Sequence, residues 1–280
     1  MQKIKSFAKV NLSLAVLSRR KNNLHKIESL FCFINLHDEI EIIKSKNISH
    51  KIIFFGKFSK NIGKNNTISK LLKNLDKESI LNNQKYIIKV NKNIPIKSGL
   101  GGGSMNAASI LKYFVNKKAI KIGKAQLSKI CKSIGSDVLL GIKKKPSILT
   151  SNEKIFRLSG KTNFHCVLVK PRFGCSTKLI YKGIKFYSKS KFKKPSKIKF
   201  NKNFIKTLDN DLEKIAFKKY PSLASLKKEM EKIGKFDFVR MTGSGSCIVG
   251  YSTSKKRCLN ALKLIKKNYN NHWCIISKTI

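Results

Sequence analysis

Residues 99–104 of this 280-residue chain read Gly-Leu-Gly-Gly-Gly-Ser, a run that no hydrophobic core requires. Small residues in succession let backbone N–H groups converge on an anion. The run opens directly into Ala107, Ile110, Leu111, Phe114 and Val115, the stripe of an amphipathic helix, with Ser104 as the expected N-cap. A glycine-rich turn feeding a helix N-terminus suits a phosphate chain. A Walker loop would end in Gly-Lys-Ser or Gly-Lys-Thr, whereas this one ends Gly103-Ser104-Met105. The dinucleotide pattern fails as well, because Ser104 takes its sixth position and no acid follows about 20 residues on. The alternative is a flexible hairpin tip, and the direct entry into a striped helix favours phosphate.

Asp137 is the second residue with chemistry in reach. It is the only carboxylate between Glu78 and Glu153, in a lysine-rich region, and follows Gly135-Ser136 in a turn. It caps a short turn, accepts a proton from a substrate hydroxyl, or helps hold a metal beside a nucleotide; its sequence setting does not separate these. Lys9 is one of 55 lysines and His25 one of five histidines. Tyr181 suits either a core or a stacking surface. Thr242-Gly243-Ser244-Gly245-Ser246 reads as a hairpin or as a second anion-binding loop.

The elements that must position these residues follow from periodicity. Lys9, Asn11 and Ser13 alternate with Val10, Leu12 and Leu14, which predicts a half-buried strand rather than a signal peptide. Residues 27–34 and 39–43 read as two further strands, 67–75 as a helix and 86–90 as a strand ending before Pro95. Leu127, Ile130, Cys131 and Ile134 mark a helix stopped by Gly135. A domain boundary is expected near residue 155, dividing 1–155 from 156–280. Beyond it come a strand at 166–169 and a basic, solvated connection at 189–206. Asn210 and Glu213 suggest a capping box, and a helix over 222–233 ends at Gly234 as its C-cap. A strand to Arg240, a strand over 247–251, a helix over 254–267 and a last strand over 273–276 complete an α+β order without internal repeats.

Composition limits the function classes. Lysine and arginine total 61 against 14 acids, a formal charge of +47, which first suggests nucleic acid or an anionic membrane. Only six of the 61 are arginine, the side chain suited to bidentate base and phosphate recognition. The lysines are spread over the whole length among many asparagines and isoleucines, so compositional drift is the better reading. Neither a specific nucleic-acid partner nor a membrane is expected. Seven cysteines without a Cys-x-x-Cys pair suggest buried thiols in a reducing compartment, with no disulfide framework and no zinc site. A cytoplasmic protein, monomeric or weakly dimeric, is expected.

Taken together, Ser6-Phe7-Ala8-Lys9-Val10-Asn11-Leu12, residues 95–108 around the glycine run, and Arg240-Met241-Thr242-Gly243-Ser244-Gly245-Ser246-Cys247 resemble the three motifs of the GHMP kinases. Leu24 through Phe31, Ile134 through Val138, residues 171–181 and Asn210-Asp211-Leu212-Glu213 extend the likeness across nearly the whole chain. Within the family they resemble the branch that acts on 4-diphosphocytidyl-2-C-methyl-D-erythritol in the non-mevalonate isoprenoid pathway. The resemblance implies a ribosomal-protein S5 domain 2-like N-terminal half, a ferredoxin-like C-terminal half, and transfer of the ATP γ-phosphate to the substrate 2-hydroxyl with Mg²⁺. No side chain is assigned as a metal ligand. It implies Asp137 as catalytic base and Lys9 as its cationic neighbour. The ATP loop would be Pro95, Ile96, Lys97, Ser98, Gly99, Leu100, Gly101, Gly102, Gly103, Ser104 and Met105, with Asn66 and Lys92 as further nucleotide contacts. Asn11, His25 and Tyr181 would hold the cytidine diphosphate-linked substrate, His25 reading the cytosine and Tyr181 stacking on it. Three positions depart from the family. Asn23-Leu24-His25 replaces Gly-Tyr-His and removes an aromatic contact, Ser98 stands where glycine or alanine is common, and Met105 stands where serine is usual, crowding the nucleotide or removing a hydroxyl.

Overall fold

The computed structural model describes residues 2–20, 24–160, 163–193, 195 and 202–280. In chain order the elements are β1 (Gln2–Asn11), β2 (Ala15–Arg19), β3 (His25–Ser45), β4 (Lys51–Phe55), α1 (Thr67–Lys77), β5 (Lys85–Asn91), α2 (Gly102–Asn116), α3 (Lys124–Ile134), α4 (Val138–Gly141), β6 (Ser147–Leu149), β7 (Ile155–Arg157), β8 (His165–Lys170), α5 (Thr177–Lys182), α6 (Lys202–Lys206), α7 (Leu212–Lys219), α8 (Pro221–Gly234), β9 (Phe238–Met241), β10 (Ile248–Ser252), α9 (Lys255–Asn268) and β11 (Trp273–Lys278). The α+β class is as expected. Two compact units divide the chain, the first comprising residues 1–8, 36–96 and 101–144, the second 9–35, 97–100 and 145–280.

In the first unit the later part of β3 pairs antiparallel with β5, and β5 pairs parallel with β4. Helix α1 starts where Asn66 accepts hydrogen bonds from the Ile68 and Ser69 amides, and its Ile68, Leu71, Leu72 and Leu75 are buried at helical spacing. Helix α2 buries Ala107, Ala108, Ile110, Leu111 and Phe114 in the same core. Small residues bring α4 onto α2. A Cβ on Gly141 would stand 2.7 Å from the Ala108 Cβ and 3.0 Å from the Met105 sulfur.

In the second unit the start of β3 pairs with β2 and β6, and β6 with β7. An antiparallel sheet in the order β11-β8-β10-β9 carries the other core. Val167 and Val169 of β8 face Leu223, Leu226 and Met230 of α8 and Ala261 and Ile265 of α9. All seven cysteines are free and buried, and burial pushes the Cys131, Cys175, Cys258 and Cys274 thiols up to about 11. No helix among the described residues is long and apolar enough to cross a membrane.

Several local expectations are corrected. The strand read as half-buried is buried on both faces, since Lys9, Asn11 and Ser13 are as enclosed as Val10, Leu12 and Leu14, and it breaks between β1 and β2. The two strands at 27–34 and 39–43 are one continuous β3. Gly101, in the left-handed region, takes the N-cap position of α2 instead of Ser104. Asn210 and Glu213 form no capping box. The Glu213 carboxylate turns to the Met241 amide and the Lys227 ammonium, while the Asn210 amide group donates to the Met241 and Gly243 carbonyls. Gly234 is the last residue of α8, and the left-handed cap is Lys235. Within the basic stretch, Lys202–Lys206 are helical and Phe192 is buried rather than solvated. Lys194, residues 196–201 and Asn23 lie outside the described residues.

The tight seat of α4 gives a direct expectation. Gly141→Ala overpacks the α2 contact by about 1 to 3 kcal/mol, which at this chain length lowers Tm by about 2 to 10 °C. A calorimetric Tm equal to the parent protein would contradict that packing.

Candidate active site

The glycine run owes its shape to alternating backbone conformation. Lys97, Gly99 and Gly101 have φ of 49°, 76° and 69°, while Ser98 and Leu100 between them stay on the negative side. Alternation of this kind is the backbone pattern of nests, in which successive N–H groups turn toward one concavity; within the run the Leu100 amide donates to the Ser98 hydroxyl at 3.4 Å. The first-turn amides of Gly102, Gly103 and Ser104 have no acceptor inside α2, because helix geometry supplies none there, and the helix dipole adds partial positive charge.

The carbonyl side of residues 97–100 is fully engaged. The Lys97 carbonyl accepts from the Ser246 amide at 3.4 Å, Ser98 from Cys247 at 3.2 Å, and Leu100 from Lys9 at 3.1 Å. The Gly99 carbonyl accepts from the Thr242 hydroxyl at 3.2 Å. The approach is close enough that a Cβ on Gly99 would fall 2.0 Å from the Thr242 carbonyl oxygen. The 242–246 turn joins the antiparallel strands β9 and β10, the hairpin of the two readings, and also grips the glycine run. The contacts of Thr242 and Ser246 with the glycine run are long-range and could not be read from residue type.

In the same unit Lys9 is buried and donates to the Asn11 side-chain oxygen at 2.7 Å. Asn11 in turn donates to the Ser29 hydroxyl at 2.8 Å, which donates to the Ser13 carbonyl, and the Asn11 amide donates to Thr242. Arg240, buried at the start of the third motif, donates to the Leu12 and Ile205 carbonyls. Asn11 thus orients Lys9 within a chain of hydrogen bonds that runs through Ser29 of β3 and ends at the Ser13 carbonyl. Ser29 was missed because nothing in its sequence neighbourhood marks it as polar-buried.

His25 and Tyr181 come together, with ring centroids 5.3 Å apart and planes tilted by 36°. Two rings enclosing a base on both faces would stand about 7 Å apart, twice an ordinary carbon contact. The pair therefore forms an angled wall and not a sandwich. Burial, and then the Arg19 charge opposite it in the β2–β3 register, lower the His25 pKa below 6.5, so the imidazole is neutral near pH 7 and offers one donor and one acceptor. Leu24 is 60% exposed.

In the first unit Asp137 occupies the N-cap position of α4 but makes no side-chain capping hydrogen bond. Its turn lies beside the loop helix, since a Cβ on Gly135 would be 4.0 Å from the Ser104 hydroxyl. The Thr67 hydroxyl donates to the Gly103 carbonyl at 2.7 Å and ties α1 to the first turn of α2. The Asn66 side chain is occupied by its capping box and by the Gly63 and Lys64 carbonyls. Lys92 is buried next to Gly102 and paired with Asp38. Pro95 and Ile96 lead into the run. Met105 is 1% exposed, its thioether under α4, so it fills core space instead of crowding a nucleotide.

Residues 66–145 match the family of GHMP kinases N terminal domains and residues 197–269 that of GHMP kinases C terminal domains. The chain is 54% identical over 278 residues, 99% of both chains, to a 4-diphosphocytidyl-2-C-methyl-D-erythritol kinase of Pelagibacter ubique. It is 35% identical to the kinase of the same name from Petrotoga mobilis, over 88% of this chain and 96% of that one. A crystal structure of 4-(cytidine 5'-diphospho)-2C-methyl-D-erythritol kinase superposes with a TM-score of 0.75 at 21% identity, covering 99% of each chain.

The depressed His25 pKa has a sign that can be checked. Folding favours the neutral ring, so His25 opposes stability below its folded pKa and stops doing so as pH rises to the unfolded value near 6.5. An NMR titration should place the His25 midpoint below 6.5, and Arg19→Gln should move it upward. A midpoint above 6.5 would refute the electrostatic assignment.

Proposed function

The chain belongs to the 4-diphosphocytidyl-2-C-methyl-D-erythritol kinases of the GHMP kinase superfamily, and from that premise we infer that Asp137 is its catalytic base and Lys9 the cation that supports the transfer. It is an ATP-dependent kinase with the two-domain α+β fold of that superfamily, and it phosphorylates the 2-hydroxyl of 4-diphosphocytidyl-2-C-methyl-D-erythritol in the non-mevalonate isoprenoid pathway. Full-length identity to the Pelagibacter kinase carries this reading. The site roles rest on the match of individual residues to the family's motifs and on the local geometry of each unit.

Phosphoryl transfer asks mainly for alignment and for positive charge on the equatorial oxygens. The loop of residues 95–105 takes the ATP phosphates, its amides and the α2 N-terminus meeting the oxygens, while Asn66 and Lys92, whose side chains are spent on the α1 cap and on Asp38, serve the nucleotide site through the segments they hold and not by direct contact. The substrate 2-hydroxyl oxygen attacks the γ-phosphorus as the bond to the β,γ-bridging oxygen breaks. Asp137 takes the hydroxyl proton, and ADP leaves. Lys9, oriented by Asn11, supplies fixed charge at the reacting end, while Asn11 also borders the polyol. Tyr181 presents a stacking face to the cytosine, and neutral His25 pairs with its edge. Mg²⁺ would be held chiefly by the ATP phosphates, with the Ser104 hydroxyl and the carboxylate of Asp137, on the turn that lies beside Ser104, as the hard oxygen ligands this unit would add. Bound there, the ion would neutralise phosphate charge. We take the lysine excess as compositional and the enzyme as a cytoplasmic monomer or weak dimer that needs neither nucleic acid nor membrane.

Asp137→Asn keeps the shape and loses the acceptor, so kcat should fall by about 10² to 10⁴ with ATP affinity retained. Lys9→Met should also lower kcat, and the double variant should cost less than the sum of the two if they act as one unit. If Asp137 only shapes its turn, Asp137→Asn will lower Tm and leave turnover of the folded protein nearly intact. For the loop, Gly101→Val removes the left-handed residue at the α2 N-cap and should raise the ATP KM strongly, and unchanged ATP kinetics in a folded variant would exclude the phosphate assignment.

A further inference from the structure

Asp38 has no solvent exposure, and its carboxylate gathers four donors. One oxygen accepts from the backbone amides of Asn93 and Ile94, each at 2.8 Å. The other accepts from the Lys92 ammonium and from the Asn106 side-chain amide, the latter at 3.0 Å. Asn93 is held further by its own side chain, which donates to the His37 carbonyl at 3.1 Å. Asn93 and Ile94 are the last residues before the ATP loop begins at Pro95, and Asn106 follows its last residue, Met105. A single buried carboxylate on β3 therefore fastens the chain where it enters the loop and where it leaves.

We propose that Asp38 is a positioning residue for nucleotide binding, clamping both ends of the 95–105 loop so that its amides are held in place before ATP arrives. This rests on the reading of that loop as the ATP phosphate site. The chemistry suits the task. A carboxylate accepting two backbone amides and an amide side chain fixes three chain segments at once, and the Lys92 ammonium balances its charge inside the core, where an unpaired carboxylate would be very costly. The Lys92 ammonium also reaches the first residue of α2, since a Cβ on Gly102 would lie 3.3 Å from it. The clamp thus extends under the helix start whose amides face the phosphates. Such preorganisation lowers the ordering cost of binding without touching the ligand, so its loss should appear in ATP affinity and not in handling of the second substrate.

The test compares Asp38→Asn and Asn106→Ala with the parent enzyme, measuring both KM values and kcat with ATP and the diphosphocytidyl substrate. Asn106→Ala cuts one end of the clamp and should raise the ATP KM by about tenfold, the worth of one hydrogen bond to a charged group, with the other KM within about twofold. Asp38→Asn should raise it further. If Asp38→Asn fails to fold because Lys92 is left unbalanced, Asn106→Ala decides alone. A folded variant with the parent's ATP KM overturns the clamp, and so does an equal rise in both KM values, which would signal general loosening. Gly101→Val separates this from failure of the loop reading. If that variant raises the ATP KM and Asn106→Ala does not, the loop stands and the clamp falls. If Gly101→Val leaves ATP kinetics unchanged, the loop reading has failed first.

Discussion

Four consecutive carbonyl oxygens, those of residues 97–100, accept hydrogen bonds from Ser246, Cys247, Thr242 and Lys9. That arrangement is the constraint on which the site depends. A glycine-rich loop has more conformations to lose than any other segment of equal length, and a floppy one would not present its amides to an anion. Engaging all four carbonyls fixes the peptide planes, and the alternating φ signs set the directions of the N–H groups. The first and third sequence motifs therefore serve the second. Gly99 is needed where Thr242 approaches too closely for any side chain, and Thr242 spans the gap between Asn11 and Gly99.

Charge is handled by separating a few enclosed cations from a solvated crowd. Among the described residues the buried lysines are Lys9, Lys92 and Lys170. Each is satisfied: Lys9 at Asn11, Lys92 at Asp38, and Lys170 at the Pro171 and Phe173 carbonyls. A buried ammonium must be hydrogen-bonded or it loses its proton, so those three report on the architecture in a way the exposed majority does not.

Much of this was legible in advance and some of it was not. The helix-opening glycine run, the α1 and α3 helices and the β8 strand follow from local pattern, because their spacing and punctuation are set by nearby residues. Lys9 was visible only through its motif, since one lysine among 55 looks like any other until the fold encloses it. Alternation at 9–14 suggested a solvated face, and the structure buries both, a tertiary outcome that period-two patterning does not encode. Asn210 and Glu213 have capping-box spacing, but only Asn210 serves the helix start, its side-chain oxygen accepting from the Leu212 amide while its amide group reaches the 241–243 backbone; the Glu213 carboxylate goes to Met241 and Lys227. Asp38 sits in an unremarkable Leu-His-Asp-Glu stretch, and its four partners lie 54 to 68 residues away. His25 and Tyr181 were legible as two residues but not as an angled contact.

The most direct test of the central claim is phosphorus NMR of the purified protein with MgATP and 4-diphosphocytidyl-2-C-methyl-D-erythritol. The account predicts that the ATP γ-phosphorus signal declines as ADP and a new phosphomonoester signal grow together, with the new phosphorus coupled to the 2-position of the methylerythritol. ATP loss that yields only inorganic phosphate, or a phosphomonoester at another hydroxyl, would contradict it.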